Sequence, residues 1–416
     1  MLGYLTITAF LLAFCMVAKR LSSTVVTAPM IFLSLGAIVG ETGMVPGAAS
    51  EATLHVVAEV ALIVLLFLDA AQIDQQALLR RRVWPARMLA IGLPLGFLIG
   101  IVAGWLLLPG WPFAAIALVA AILVPTDAAL GQPVVMNPDV PERPRRALTV
   151  ESGLNDGLAL PLVLLMAAIA APVAMAPSEG WLLFAVGQVV LGPLVGVPVG
   201  LAAGWILLRA KAAETTSDVY EGIGALALAA SVYLLATLVG GNGFIAAFSA
   251  GLGFGAIVRG QCDFVFEFTE GEGQILSWAA FFLLGAVLVP DAVRHLTPEV
   301  FALILASLFI VRPLAIWISL IGTDASAETR LFFGWFGPRG LATALFALLV
   351  VDRLGQPLGE EVLHVAVNAV WISALLHGLS AAPAARWYAA VMSTKEPPAE
   401  MAPLHASTEA YRKRLS

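Results

Sequence analysis

Long apolar runs, separated by short stretches of Pro, Gly and charged residues, fill most of the chain. A helix needs about 20 predominantly apolar residues to cross the hydrocarbon core of a membrane. Thirteen runs approach this length, at residues 4–18, 25–39, 56–71, 88–108, 112–130, 147–171, 181–208, 219–239, 244–258, 275–289, 300–320, 331–351 and 362–379. The pattern predicts an all-α polytopic membrane protein with about 13 transmembrane helices.

The placement of positive charge predicts the orientation of these helices. Of the Lys and Arg residues, 18 follow odd-numbered runs and 2 follow even-numbered runs. Because positive residues stay on the cytoplasmic side, we expect the N-terminus outside and the C-terminus in the cytoplasm of a cell (inner) membrane. The composition, 60% hydrophobic and 12% charged, agrees with burial in a lipid bilayer and gives no sign of a nucleic-acid partner.

Two of the runs are interrupted in the middle. Val124-Pro125-Thr126 breaks the fifth run, and Gly337-Pro338-Arg339 breaks the twelfth. Proline removes a backbone donor, and broken backbone at this depth is tolerated only where protein or a water-filled cavity covers it. Since the two runs are seven apart, they cross the membrane in opposite directions, as inverted repeats require. The sequence therefore predicts inverted repeats with two crossed discontinuous helices.

The repeats give the expected domain organisation. Residues 1–392 are predicted to form one transmembrane domain, and residues 393–416 a short cytoplasmic tail. Repeat one covers about 4–171, a linker helix about 181–208, and repeat two about 219–379.

Several charged residues lie inside the apolar runs. An ionised side chain at a helix centre costs at least about 2.5–3.5 kcal/mol, so such residues usually face a cavity or a partner. The residues concerned are Glu59, Asp69, Asp127, Glu151, Asp156, Arg312 and Arg339. The excess of acids over bases predicts a polar site for a cation. The alternative, that every charge is paired and only fixes helix register, stays open at this point.

The sixth run carries the motif Glu151-Ser152-Gly153-Leu154-Asn155-Asp156-Gly157. Ser152 and Asp156 are four residues apart and share one helical face, while Glu151 and Asn155 form the neighbouring stripe. Carboxylate, hydroxyl and amide oxygens suit a hard cation such as sodium. Apolar sequence on both sides predicts that Asn-Asp-Gly is helical here and not a turn.

The two breaks also need charged partners. Crossed half-helices bring two positive N-terminal ends and two negative C-terminal ends together near the membrane midplane. An acid neutralises the first pair and a base the second. Asp127 and Arg339 have the charges for these two tasks.

Together these segments resemble the monovalent cation:proton antiporter family, in its sodium/proton exchanger branch. The matching pieces are Thr126-Asp127, the Glu151-to-Gly157 motif and Gly337-Pro338-Arg339-Gly340, with residues 66–69 and 243–248 in support. The resemblance implies a homodimer with a dimerisation domain and a mobile six-helix core.

The resemblance also implies roles for individual residues. Asp156 would be the carboxylate that takes either the cation or the proton. Ser152, the Thr126 carbonyl and Asp69 would complete the cation shell, and Asp127 would act through water and the half-helix ends.

The remaining polar residues would have structural or charge-balancing roles. Arg312 would pair with Glu151, Asn155 would hydrogen-bond nearby, and Arg339 would sit at the helix crossing. The Asn155-Asp156 pair implies the electroneutral type, which exchanges one cation for one proton.

The predicted function is antiport of a monovalent cation for protons by alternating access, which would serve pH homeostasis. Sodium is the expected ion, with lithium and potassium as alternatives, and no cofactor or enzymatic activity is expected. An intramembrane aspartyl hydrolase with Asp127 and Asp156 as its dyad is one alternative. A cation channel is another, and the surplus of intramembrane acids argues against an organic-anion transporter.

Overall fold

The computed structural model describes most of the chain. The described residues are 2–21, 26–42, 47–73, 83–127, 130–131, 134, 137, 139–172, 181–394 and 400. The predicted tail after residue 394 lies outside them, apart from Glu400. Within the described part the secondary structure is entirely helical, which confirms the predicted all-α class.

Fifteen helices, numbered here in chain order, make up this part of the chain. They are α1 (Leu2–Leu21), α2 (Ala28–Glu41), α3 (Gly47–Ala71), α4 (Val83–Leu107), α5 (Phe113–Leu123), α6 (Glu142–Ala170), α7 (Trp181–Ala212), α8 (Asp218–Leu238), α9 (Gly243–Val258), α10 (Asp263–Val287), α11 (Val289–Arg294), α12 (Pro298–Ser319), α13 (Ala327–Trp335), α14 (Leu341–Leu354) and α15 (Leu358–Ser393).

Helix lengths agree with a membrane protein. Seven helices of the described chain are long and apolar enough to cross a bilayer, and five further apolar helices are shorter. The count of thirteen spans stays a prediction, because several helices are too short to decide it. Some helices extend beyond the apolar runs that predicted them: α6 begins five residues earlier, at Glu142, and α15 continues to Ser393.

Polar side chains mark where several of these helices begin. The side-chain oxygens of Thr27, Asn242, Thr297 and Ser326 each accept a hydrogen bond from a backbone N–H in the first turn of α2, α9, α12 and α13. These residues satisfy donors that a helix start leaves without an intrahelical partner. Local sequence therefore sets the starts of these apolar helices.

Both predicted breaks are present. Helix α5 ends at Leu123, and the chain is non-helical from Pro125 to Asp127. Helix α13 ends at Trp335, and α14 starts only at Leu341.

Two helices beside the breaks carry a second shared irregularity. Helix α4 contains a π-helical turn at Met88–Gly92, and α12 contains one at Ser307–Val311. A proline, Pro94 or Pro313, lies two residues after the end of each turn. Since α4 and α12 are the fourth and eleventh predicted spans, their likeness supports the inverted repeats predicted from the breaks.

The helices pack in two groups. In the first, which we call the scaffold group, α2 packs on α10, α3 on α9 and α10, and α7 on α9, with α8 against α9 and α10. Helix α1 joins it through Phe14, whose ring contacts Phe32 of α2 and Trp278 of α10. The second, the crossing group, contains α4, α5, α6 and α12–α15.

Candidate cation-binding site

The two broken segments cross and bond to each other. The backbone N–H of Asp127 donates to the carbonyl oxygen of Pro338 over 2.9 Å. The Asp127 carboxylate accepts from the N–H of Leu341 at 2.7 Å and from that of Leu130 at 3.3 Å. Asp127 therefore places its negative charge at the N-terminal end of α14, as the sequence predicts for the acid of the crossing.

Glycine at position 340 makes this approach possible. A Cβ atom added to Gly340 would overlap the carboxylate of Asp127. The acid can reach the first turn of α14 only because residue 340 has no side chain.

A buried ion pair lies on the other side of the crossing. The Arg312 guanidinium donates to both carboxylate oxygens of Glu151, at 3.0 and 3.1 Å, and both side chains are almost fully buried. The same guanidinium donates to the carbonyls of Phe333 and Phe336 at 3.4 and 3.3 Å. Arg312 thus balances Glu151 and also satisfies carbonyls at the C-terminal end of α13. A Cβ on Gly337 would overlap the guanidinium.

Arg339 lies at the crossing itself and is 2% exposed. Its guanidinium donates to the carbonyl of Gly337 at 2.6 Å, and to the carbonyl and hydroxyl of Ser307 at 3.2 and 2.9 Å. Its backbone N–H donates to the hydroxyl of Ser373 at 2.7 Å. The two arginines therefore divide between them the base role that the sequence gives to Arg339 alone.

Asn155 connects the sixth-span motif to the first break. Its buried amide donates to the hydroxyl of Thr126 and to Oε1 of Glu151, the latter over 3.4 Å. The contact with Thr126 uses the threonine hydroxyl, whereas the resemblance assigns the threonine carbonyl to the cation. The amide thus orients Thr126 while leaving the carbonyl of that residue outside the contact.

Asp156 is one helical position further along α6. Its Oδ1 atom is shielded from solvent and accepts no hydrogen bond from the residues that the structure describes. The carboxylates of Asp127, Asp69 and Glu151 lie close enough to act on it electrostatically. A buried carboxylate oxygen in this condition is costly unless a proton or a cation binds it.

Two other predicted ligands, Ser152 and Asp69, lie near Asp156. Ser152 is buried one turn before Asp156 on the same face of α6. Asp69 packs beside the motif, since a Cβ on Gly153 would lie 3.6 Å from the Asp69 carbonyl. One turn further along the same face of α6, the ring of Phe248 fills the position that a Cβ of Gly157 would take. Apolar α9 therefore covers the motif from the scaffold group.

A groove of about 590 Å³, which includes open space, reaches the ion pair from the side of α4. Its polar lining residues are Glu151, Asn155, Ser307, Arg312 and Arg339, and the others are mostly apolar residues and glycines of α4, α5 and α12. Asp156 is not among the lining residues. The groove therefore leads to the charge-balancing residues and not to the candidate binding carboxylate.

Ser307 and Ser373 are site residues that sequence reasoning missed. A serine in an apolar run carries little signal of its own. For Ser307 the sequence does contain a signal, which is Pro313. Proline disturbs the preceding helical turn, and π-helical turns are frequent at functional sites.

Two interrupted helices that cross among buried charges define a class of protein, the secondary transporters with discontinuous helices. A family model described as "Sodium/hydrogen exchanger, transmembrane" matches residues 6–387. The chain belongs to that family. The predicted family is therefore confirmed, and the hydrolase alternative receives no support from it.

Individual relatives agree. The chain is 30% identical over 365 residues to a protein named K(+)/H(+) antiporter NhaP2 from Shewanella baltica, covering 86% of this chain and 62% of that one. It is 28% identical over 401 residues to the K(+)/H(+) antiporter NhaP of Alkalimonas amylolytica, covering 94% and 68%. The chain thus spans somewhat under two thirds of the Shewanella relative.

The fold is similar to that of a solved archaeal structure. The sodium proton antiporter MjNhaP1 from Methanocaldococcus jannaschii, at pH 8, superposes with a TM-score of 0.76. The superposition covers 94% of this chain and 99% of that one, at 21% identity. This likeness establishes the shared fold.

Proposed function

We propose that this protein exchanges a monovalent cation for a proton across the cell membrane, with Asp156 as the shared binding carboxylate. The observation that carries the proposal is the Oδ1 atom of Asp156, buried beside the helix crossing without a hydrogen-bond donor among the described residues. Two other acids at the crossing are engaged: Asp127 binds the start of α14, and Glu151 binds Arg312.

Competition at one carboxylate gives exchange without leak. Neighbouring acids and burial disfavour a bare charge on Asp156, so the site holds either a proton or a cation. The two loaded states exclude each other and are neutral at the carboxylate, whereas the empty anion is too costly to carry across. Alternating access then moves one cation for one proton. Ser152, Thr126 and Asp69 complete the cation shell, and no cofactor takes part.

The crossing group is the part that moves in this proposal. It contains the six spans α4, α5, α6, α12, α13–α14 and α15, which correspond to the mobile core that the family resemblance implies. The scaffold group forms the dimerisation domain of a homodimer. The N-terminus lies outside and the C-terminus in the cytoplasm, as the distribution of Lys and Arg supports.

We propose that the transported ion is sodium. The names of the relatives include both potassium and sodium antiporters, so transport of the different ions must be compared directly. Some are named K(+)/H(+) antiporters, and a protein of Zygosaccharomyces rouxii that is 25% identical over 324 residues is named Na(+)/H(+) antiporter 2. Sodium, lithium and potassium should therefore be compared on one preparation.

Inside-out vesicles with an acid interior and a fluorescent pH probe test the proposal. We expect added sodium to evoke proton efflux from native vesicles and none from Asp156→Ala vesicles. Asp352→Asn, which changes an exposed acid of α14, is the matched control and should keep native flux. A cation concentration for half-maximal flux that rises with proton concentration would support competition at one site.

Two results would overturn the proposal. One is native flux in Asp156→Ala. The other is no response to any of the three ions by correctly folded native protein. Clamping the membrane potential at zero tests the stoichiometry separately, since one-for-one exchange should keep its rate.

A further inference from the structure

Three potential metal ligands meet at the end of the molecule where α11 lies against α15. Asp291 is in α11, His295 directly follows α11, and His364 is in the second turn of α15. One ligand atom from each residue lies within 4.8 Å of the others. We call these residues the His–Asp cluster.

The geometry within the cluster is close to that of a metal site. His364 Nε2 lies 2.8 Å from Oδ2 of Asp291, and His295 Nδ1 lies 3.5 Å from Oδ1. Ligands about 2.0–2.1 Å from a tetrahedral zinc ion are about 3.3 Å apart. Each histidine is near that distance from one oxygen of Asp291, and the three ligand atoms, which lie within 4.8 Å of one another, must draw closer to share one ion. The two imidazole rings are stacked in parallel, with 4.8 Å between centroids and an interplanar angle of 2°, so one ring must rotate to bring both nitrogen lone pairs onto one ion.

The side chains can adjust to a bound ion. Asp291 and His295 are more than half exposed, whereas His364 is 17% exposed. The cluster is thus open to solvent on one side and anchored on α15 on the other. The Asp291 carboxylate holds His364, and the Asp291 carbonyl holds Nδ1 of His295 at 3.0 Å, so a bound ion would replace contacts that both rings already make to Asp291.

We propose that Asp291, His295 and His364 bind a divalent transition metal of the zinc class, with water as the fourth ligand. Two imidazole nitrogens and one carboxylate oxygen favour zinc or its neighbours over calcium and magnesium, which take oxygen ligands. The side chains at 360 and 361, one turn before His364 on α15, are both glutamates and add negative charge nearby.

This site is separate from the transport site. Ser373, which holds the backbone of Arg339, follows His364 on α15 at a distance of about 14 Å along the helix axis. A metal in the His–Asp cluster therefore acts on helix packing and is not the transported ion.

The cluster lies at a junction between the two helix groups. Arg294 of α11 pairs with Glu41 of α2, in the scaffold group, at 2.7 Å. On the other side, the amide of Asn368 in α15 donates to the carbonyl of Ala292 at 2.7 Å. A bound metal therefore fastens α11, which is tied to the scaffold group, more firmly to α15 of the crossing group. Slowing of exchange by zinc rests on the proposed function; the binding of zinc does not.

Calorimetric titration of the purified full-length protein with Zn²⁺ tests the binding. We expect about one ion per chain, and at least about tenfold weaker binding in His364→Ala and in His295→Ala. His55→Ala, which removes a histidine of α3 outside the cluster, is the matched control and should bind as the native protein does. Co²⁺ gives a second readout, because a tetrahedral site produces visible absorption bands that both variants should lose. Retention of the size-exclusion profile shows that the variants fold.

The outcomes separate the inference from the proposed function. Zinc binding that is absent from the native protein, or unchanged in both variants, overturns the site. In vesicles, zinc on the side of the cluster should slow exchange at least severalfold in the native protein and not in His364→Ala. Zinc binding without any change in rate overturns the coupling between the groups. If the protein binds zinc but shows no cation/proton exchange, the proposed function is wrong and the proposed metal site is still supported.

Discussion

The scaffold group and the crossing group use opposite means to bring their helices together. In the scaffold group, glycines let backbones touch: a Cβ on Gly36, Gly40 or Gly285 would overlap a carbonyl of the facing helix in the α2–α10 pair, and so would one on Gly200 in the α7–α9 pair. In the crossing group, hydrogen bonds and an ion pair join the broken segments through Asp127 and Arg312.

The difference suits two different tasks. Lipid offers little hydrophobic drive for helix association, so close backbone packing through small residues gives a rigid unit. In the crossing group, the polar groups at the broken backbone can exchange one hydrogen-bond partner for another or for water. In the proposed mechanism, close packing therefore holds the scaffold group fixed, and charge holds the crossing group together while it moves.

Breaking the buried ion pair should have the largest effect on stability. Arg312→Met leaves Glu151 buried without its partner and should cost about 3–5 kcal/mol of unfolding free energy. The double variant Glu151→Met with Arg312→Met should recover most of that loss. Chemical unfolding in detergent, followed by tryptophan fluorescence, measures both.

The exposed pair between Arg294 and Glu41 provides the control. Both side chains are more than half exposed, so Arg294→Met should change stability by about 0–1 kcal/mol. Equal losses from Arg312→Met and Arg294→Met would contradict the view that burial makes the first pair critical.

The second largest effect should come from adding one methyl group, which should destabilise the scaffold group more than the crossing group. Gly40→Ala places a Cβ against the backbone of Ala286 and should cost about 1–3 kcal/mol through overpacking. Gly96→Ala in α4 meets the Cβ of Ala315 at 3.7 Å and Cγ2 of Val124 at 3.9 Å. Both are ordinary contacts, so this change should be nearly neutral. Thermal unfolding of both variants in the same detergent measures the two losses of stability. A larger loss for Gly96→Ala than for Gly40→Ala would contradict the contrast between the scaffold group and the crossing group.

Removing the acid at the start of α14 should have a smaller effect. Asp127→Ala deletes the acceptor of the Leu341 N–H, as in the loss of a helix N-cap, and should cost about 0.5–2 kcal/mol. Asp127→Asn keeps an acceptor oxygen and should lose less. Hydrogen exchange at the first turn of α14 reports the change directly. Unaltered protection in Asp127→Ala would mean that the carboxylate does not stabilise this end.

The sequence predicts the features that are marked by charged residues and prolines. It does not predict the features that depend on close approach between residues far apart in the chain. Pro125 and Pro338 locate the breaks, and the spacing of Ser152 and Asp156 places them on one helical face. Nothing local shows that Gly337 and Gly340 make room for Arg312 and Asp127. Those facts involve residues far apart in the chain.

The partners of Arg339 show the same limit. Its charge predicts a place at the crossing, but the choice of Ser307 and Ser373 as acceptors follows from how α12 and α15 pack around it. A π-helical turn at Ser307–Val311 shifts the helical phase there. Phase shifts of this kind cannot be recognised from apolar periodicity alone.

The smallest predicted effect lies in the loop between α12 and α13. Asp324 accepts from Arg143 at 2.7 and 2.9 Å and from the indole of Trp84 at 2.8 Å. Partial burial acts to raise the pKa of the Asp324 carboxyl, but these hydrogen bonds and the Arg143 charge together lower it below its ordinary value of 3.8. The carboxylate therefore adds stability that is fully present above pH 3.8 and is lost as the pH falls through the lowered pKa.

Asp324→Asn tests this contribution. The side chain is 53% exposed, so solvent screening should hold the loss at pH 7 below about 1 kcal/mol. The difference in melting temperature between the native protein and Asp324→Asn should shrink as the pH is lowered from 6 to below 3.8, through the lowered pKa of the native carboxyl. A difference that stayed constant over that range would show that the contact depends on shape and not on charge, and the contrast between the two groups would then not extend to this loop.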